Sequence, residues 1–167
     1  GTSYAAPTVT ATAALIKQKY EWMNGDLIRQ TILSTADDIG ASGVDTVYGW
    51  GLLNVSKAIN GPALFDKRLA LGSYVNVNFD DVTSTFSNDI GGDAGLIKNG
   101  TGTLILSGTS TYSGLTKING GRVIVNGSIL SGVYVGVSGT LSSTGGYIGN
   151  DVYNEGGTLE NSGTGLQ

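Results

Sequence analysis

Two spacings of apolar residues divide this chain. Up to Gly61 they recur every three or four positions, the repeat of a helix face. From Gly91 onward they alternate with polar residues among closely spaced glycines, the repeat of strands and turns. The first spacing predicts a helix over Thr8–Tyr20, with Ala5, Ala6, Val9, Ala13 and Ile16 on one stripe. So many alanines suit a helix buried close to a sheet. A second helix carries Leu27, Ile28, Thr31, Ile32 and Ala36 on its apolar face, with Asn24 or Asp26 as cap and Gly40 and Gly43 closing it. In Tyr48-Gly49-Trp50-Gly51 the paired glycines permit a tight turn against the core, where Trp50 is expected to pack. Ala58-Ile59 precedes the breaker pair Gly61-Pro62.

The second spacing repeats at long range. Gly102-Thr103-Leu104-Ile105-Leu106-Ser107-Gly108 aligns with Gly121-Arg122-Val123-Ile124-Val125-Asn126-Gly127, then with Gly139–Gly145 and Gly157–Gly163. The lead glycines lie 19, 18 and 18 residues apart, and each copy closes on a glycine six residues later. Alternating strings such as Val133, Val135 and Val137 lie between them. A period near 18 with strands and glycine corners describes one coil of a parallel β-helix, in which apolar positions stack coil upon coil. A flexible linker would share the glycines but not the phased Leu, Val and Ile.

Composition sharpens this division. Glycine supplies 28 of 167 residues, more than double its usual share of about 7%. Nine Lys and Arg against 13 Asp and Glu leave a net charge of -4, which argues against nucleic acid or an anionic membrane surface as partner. There is no cysteine, so disulfides and thiolate metal sites are excluded, and no apolar run approaches the roughly 20 residues that span a bilayer. There is also no histidine.

The candidate chemistry lies at the start. Gly1-Thr2-Ser3-Tyr4-Ala5-Ala6-Pro7 leads into the first helix, and Pro7 is tolerable near a helix start. Ser3 then stands where unpaired amides and the helix dipole favour developing negative charge. Taken alone, Gly-Thr-Ser is better read as an ordinary Ser/Thr helix cap. The seven residues together resemble the nucleophile segment of the subtilisin-like serine proteases. Tyr48–Ile59 resembles the closing segment of the same domains, where a Gly-x-Gly turn enters a short strand and a last helix ending in Ala. The resemblance implies that Ser3 is the catalytic nucleophile and that its backbone N–H shares the oxyanion hole. It also implies an aspartate and a histidine acting in the order Asp, His, Ser. With Ser3 third in that order, the acid and base are expected upstream, and this chain alone is expected to be inactive.

Gly95-Leu96-Ile97-Lys98-Asn99-Gly100-Thr101-Gly102-Thr103-Leu104-Ile105-Leu106-Ser107-Gly108, Thr111–Thr116 and Gly120–Val123 resemble the passenger-associated repeat of bacterial autotransporters. Ser110 and Arg122-Val123 depart from that pattern without breaking its register. Together the two resemblances point to the subtilisin-like serine protease autotransporters of Gram-negative bacteria. The expected fold class is mixed: the C-terminal helical part of an α/β subtilisin-like domain (1–61), a connector (62–94), then the start of a right-handed parallel β-helix, or β-solenoid (95–167). The family implies an extracellular or cell-surface location, protein or peptide substrates, and two further partners. These are the N-terminal part of the same peptidase domain and an outer-membrane β-barrel translocator. No cofactor and no metal is expected.

The alternative is a non-catalytic β-helical surface or adhesion module attached to a protease remnant. A chain that complements a separate N-terminal partner ranks lower. Asp37/Asp38, Asp80/Asp81 and Asp89/Asp93 lack the spacing of calcium ligands and are expected to be solvated turn residues. Three N-glycosylation sequons, at Asn54, Asn99 and Asn126, are given no function. Helices without the sheet they should cover, and a last coil without a polar cap, predict an unstable isolated chain.

Overall fold

The computed structural model describes residues 2–46, 49–143 and 145–160, with only the backbone course described for 2–4. Gly1, Tyr48 and the end of the fourth repeat copy (161–163), used above, lie outside the described residues. A few helices are followed by a parallel β-solenoid of about five turns.

Helix α1 (Thr2–Lys19) takes in nearly all of the opening motif and starts six residues before the predicted Thr8. The earlier start puts Pro7 inside the helix, where its missing N–H would have served the carbonyl of residue 3. α2 (Gly25–Ser34) is capped by Asn24, whose side chain accepts from the Leu27 amide at 2.8 Å. It ends at Thr35, whose hydroxyl donates to the Thr31 carbonyl, well before Gly40. α3 (Val55–Ala58) and α4 (Lys67–Ala70) are single turns capped by Asn54 and Asp66. The short strand expected before α3 is one antiparallel bridge between Asp37 and Leu52. Gly51 makes that bridge possible: its φ is +114°, and a Cβ there would lie 1.9 Å from the Asp37 carbonyl oxygen.

The solenoid has three faces. On the first, β1 (Tyr74–Asn78), β3 (Gly95–Asn99), the start of β6 (Thr116–Val125), the start of β8 (Val133–Ser142) and β10 (Val152–Asn154) run parallel. On the second, β2 (Thr83–Phe86), β4 (Thr103–Leu106), the ends of β6 and β8, and β11 (Thr158–Glu160) do the same. The third is β5 (Thr109–Ser110), β7 (Ser128–Ile129) and β9 (Tyr147–Ile148). The repeat alignment is the structural register: Leu104, Val123, Leu141 and Leu159 are successive partners in one column. At the corner inside β6, Gly121 has φ +65° and lies so close to the coil above that a Cβ would come 2.2 Å from the Gly102 carbonyl oxygen.

The stack begins earlier than the repeat pattern indicates. β1 and β2 pair in register with β3 and β4, inside the 62–94 segment read as a connector. Their signal was present in the alternation of Val75 and Val77 with Asn76 and Asn78, but without the glycine phasing of the later coils. The core is continuous: Ile16, Tyr20, Met23, Leu27, Ala58 and Phe65 join Val75, Val77, Phe79 and Phe86, and through them the rest of the solenoid interior. The helices therefore cover the first coil.

In the strands of the first face two interior positions are polar. Thr116 takes its place in a column with Val75, Leu96, Val133 and Val152, and its hydroxyl lies 2.6 Å from Tyr112 Oη and 2.7 Å from Ser131 Oγ. Lys98, fully buried, follows Val77 and precedes Ile118 in the neighbouring column. Its ammonium escapes to the corner, donating to the carbonyls of Asn99 (2.7 Å), Gly100 (3.0 Å) and Gly120 (3.4 Å). Burial pulls its pKa down to about 8, against a smaller upward pull from Asp80.

Candidate active site

The structure puts Ser3 in the first turn of α1. Amides in a helix's first turn have no intrahelical acceptor, so the backbone there can present N–H groups to an anion. The Ser3 side chain lies outside the described residues.

What surrounds that turn differs from the expectation of a buried helix. Ala5 through Ala11 are exposed, and Val9 and Leu15 keep 42% and 46% of their surface open. Of the predicted stripe only Ile16 is fully buried; the buried face is instead Thr12, Ile16 and Tyr20, one residue per turn. Thr12 pays no polar penalty there, because its hydroxyl donates to the Thr8 carbonyl at 2.8 Å. The exposed half of α1 forms one wall of an open apolar groove with Ile32 and Leu33 of α2 and Leu52 and Leu53 beyond the Gly51 turn. Leu52 is 58% exposed, a large apolar side chain left without cover.

Trp50 was expected in the core. It is half-buried instead, with the Arg68 guanidinium 4.8 Å from its ring centroid, in the wall of a small pocket with Leu33, Val44 and Leu64. Arg68 also pairs with the buried Asp66 at 2.8 Å, and this hydrogen bond holds the Asp66 carboxyl below its ordinary range.

The paired aspartates are structural rather than merely solvated. Asp80 accepts from the Thr101 amide at 2.8 Å, Asp89 from the Thr109 amide at 2.7 Å, and Asp93 from the Lys67 amide at 2.9 Å. The first two fasten one coil to the next. Asp38 accepts from the Gly43 amide at 2.6 Å, and Asp37 from the Asn54 side chain at 3.0 Å. No group of three or more His, Cys, Asp or Glu side chains is gathered in ligand geometry among the described residues. No described helix is long and apolar enough to cross a membrane.

The subtilase family pattern matches residues 1–51, and the passenger-associated transport repeat matches residues 96–125. The chain is 45% identical over 158 residues to the Neisserial autotransporter lipoprotein NalP of Neisseria meningitidis serogroup B, covering 93% of this chain and 14% of that protein. It is 37% identical over 176 residues to an extracellular serine protease of Serratia marcescens, covering 87% and 17%. A third relative, the adhesin BmaC autotransporter of Brucella suis, is 40% identical over 88 residues, or 50% of this chain and 2% of that protein. The chain thus spans about a sixth or less of the length of these relatives. With a subtilase segment followed in the same chain by a passenger-associated β-repeat, the chain belongs to the subtilisin-like serine protease autotransporters.

Proposed function

We propose that this chain works as the nucleophile-bearing part of a serine endopeptidase, joined to the first coils of the stem that carries it. The observation behind this reading is that Gly1–Pro7 meets the first turn of a helix within the subtilase-matched stretch 1–51. The setting is extracellular or at the cell surface, as for its autotransporter relatives. Ser3 attacks the scissile carbonyl of a protein or peptide substrate and forms an acyl-enzyme. Its hydroxyl is a weak nucleophile until a base removes the proton, and with no histidine in these residues that base and its aspartate come from the N-terminal part of the same peptidase domain. The same part covers the open groove of Val9, Leu33 and Leu52. Residues 1–61 are the peptidase end, 62–94 lead into the stem and carry its first coil, and 95–167 are its repeats. The isolated chain is inactive, and export of the full-length parent runs through an outer-membrane β-barrel translocator.

The experiment is covalent labelling of the full-length parent with a fluorophosphonate, which reacts only with an activated serine. Ser3→Ala removes labelling and lowers peptidase turnover by three orders of magnitude or more. Labelling and turnover at parental levels in that variant would overturn the assignment. The 88-residue likeness to an adhesin autotransporter favours a second reading, a non-catalytic surface module. A parent that folds but never labels would put that reading first.

A further inference from the structure

The end of α1 opposite Ser3 is fastened to the stem. Tyr20, whose backbone N–H continues the helix by donating to the Ile16 carbonyl (2.8 Å), donates its hydroxyl to the Thr85 carbonyl of β2 at 2.7 Å. Its ring meets Phe86 edge-on, with centroids 5.7 Å apart. Two residues on, Trp22 stacks on Phe79 at 4.3 Å with an interplanar angle of 20°. Its indole N–H donates to Ser84 Oγ at 2.7 Å. The Phe79 ring is in turn 4.8 Å from the Lys98 ammonium of the second coil. Asn88, also in the first coil, donates to the carbonyls of Lys57 (2.9 Å) and Gly61 (2.7 Å). These are directional contacts on stacked rings and backbone carbonyls, so they fix orientation as well as distance.

We infer that the first coil of the solenoid is a clamp that aims the nucleophile helix, with Trp22 and Phe79 as positioning residues for the peptidase reaction. This rests on the assignment of Ser3 above. The physics is that of a lever. An α1 of 18 residues is about 27 Å long, so a tilt of only about 2° at the clamped end moves the other end by about 1 Å. A misplacement of that size can cost up to about a hundredfold in rate. Among the described residues the far half of α1 is little covered: Ala5 to Ala11 are exposed. In the parent the remaining peptidase surface also steadies it, which reduces the expected penalty. The stem is then more than a spacer, because its first coil belongs to the catalytic apparatus.

The test is steady-state kinetics and fluorophosphonate labelling of the full-length parent. Trp22→Phe keeps an aromatic ring and loses the bond to Ser84, while Phe79→Leu keeps apolar bulk and loses the stack. Each is expected to lower kcat and the labelling rate by about three- to tenfold at unchanged KM. Val135→Ala, in the fourth coil, is the control: it weakens the stem but leaves kcat at the parental value. Trp22→Tyr, which restores a ring with a donor, is expected to recover part of the loss. Parental labelling in Trp22→Phe and Phe79→Leu, with none in Ser3→Ala, overturns the clamp and leaves the nucleophile standing. An equal fall in kcat for Val135→Ala also overturns it, because the loss would then follow stem stability wherever the lesion lies. Labelling that survives Ser3→Ala removes the nucleophile assignment itself.

Discussion

Val135, in the fourth coil, is wholly buried, whereas Val9 keeps 42% of its surface exposed, although both lie on the apolar stripe of their element. In the solenoid each coil is covered by the next, and the partner of every interior side chain is one period away in the same chain. Among the described residues of the helical part, the helices pack on one another and on the top of the first coil, which takes one end of α1 and one side of α2. A hydrophobic stripe states that a face wants cover; it does not state that these residues supply it. Repeats supply their own cover, so stripe and burial agree at Val133 and Val135 and part company at Val9 and Leu52; Val137, next in the same alternation, is exposed because β8 turns its corner there.

The widest gap between the two regions is in the cost of truncation. Leu104 is fully buried between Ser84 and Val123 in its column. Leu104→Ala is expected to destabilise the chain by about 3 kcal/mol, from lost transfer energy plus the cavity left behind. Val9→Ala should cost less than about 0.5 kcal/mol, as for other exposed positions. Urea titrations followed by far-ultraviolet circular dichroism compare the two. Equal costs would break the comparison, because they would mean that the exposed half of α1 is already buried against something in solution.

How far the sequence could be read follows the same division. The column Leu104, Val123, Leu141, Leu159 was visible in the spacing of Gly102, Gly121, Gly139 and Gly157, because a coil of fixed length forces equivalent residues into contact. The motif around Ser3 was equally visible, and α1 does begin within it. The first coil was missed because its corners are made differently. Where later coils turn on glycine, this one uses Asp80 and Asp89, whose carboxylates accept amides of the coil beneath. Nor could a residue list announce that Lys98 and Thr116 point inward. A lysine among Ile97, Asn99 and Gly100 looks like a solvated turn until three carbonyls are found to converge on its ammonium. Trp22 escaped notice because its partner, Phe79, is 57 residues away in a stretch read as a connector.

That inward lysine gives the solenoid a pH dependence of its own. Its folded-state pKa of about 8 lies below the ordinary 10.5, so between those values the unfolded chain binds more protons than the folded one. Stability therefore rises with pH through this window, by up to about 1 kcal/mol per pH unit. Below pH 8 both states hold the proton and the slope vanishes. The measurement is best kept between pH 7 and 9.5, because burial raises the Tyr20 and Tyr112 pKa values and their linkage acts in the opposite sense at higher pH. Lys98→Met should flatten the wild-type rise; an unchanged slope would mean that the ammonium is solvated rather than held by the coil carbonyls.

The smallest effect lies at the joint between the regions. Leu71 ends α4 in the left-handed conformation, with φ 56° and ψ 39°, three residues before β1 begins, and it is 82% exposed. A side chain in that conformation costs roughly 1 kcal/mol and here recovers almost nothing by packing. Leu71→Gly removes the strain but adds backbone freedom to the unfolded chain, so the net gain should be about 0.5 kcal/mol. In a chain of this length that raises the melting temperature by about 1–2 °C. A loss instead would show that the leucine is covered in solution and that the joint, like α1, carries a face whose partner lies outside these residues.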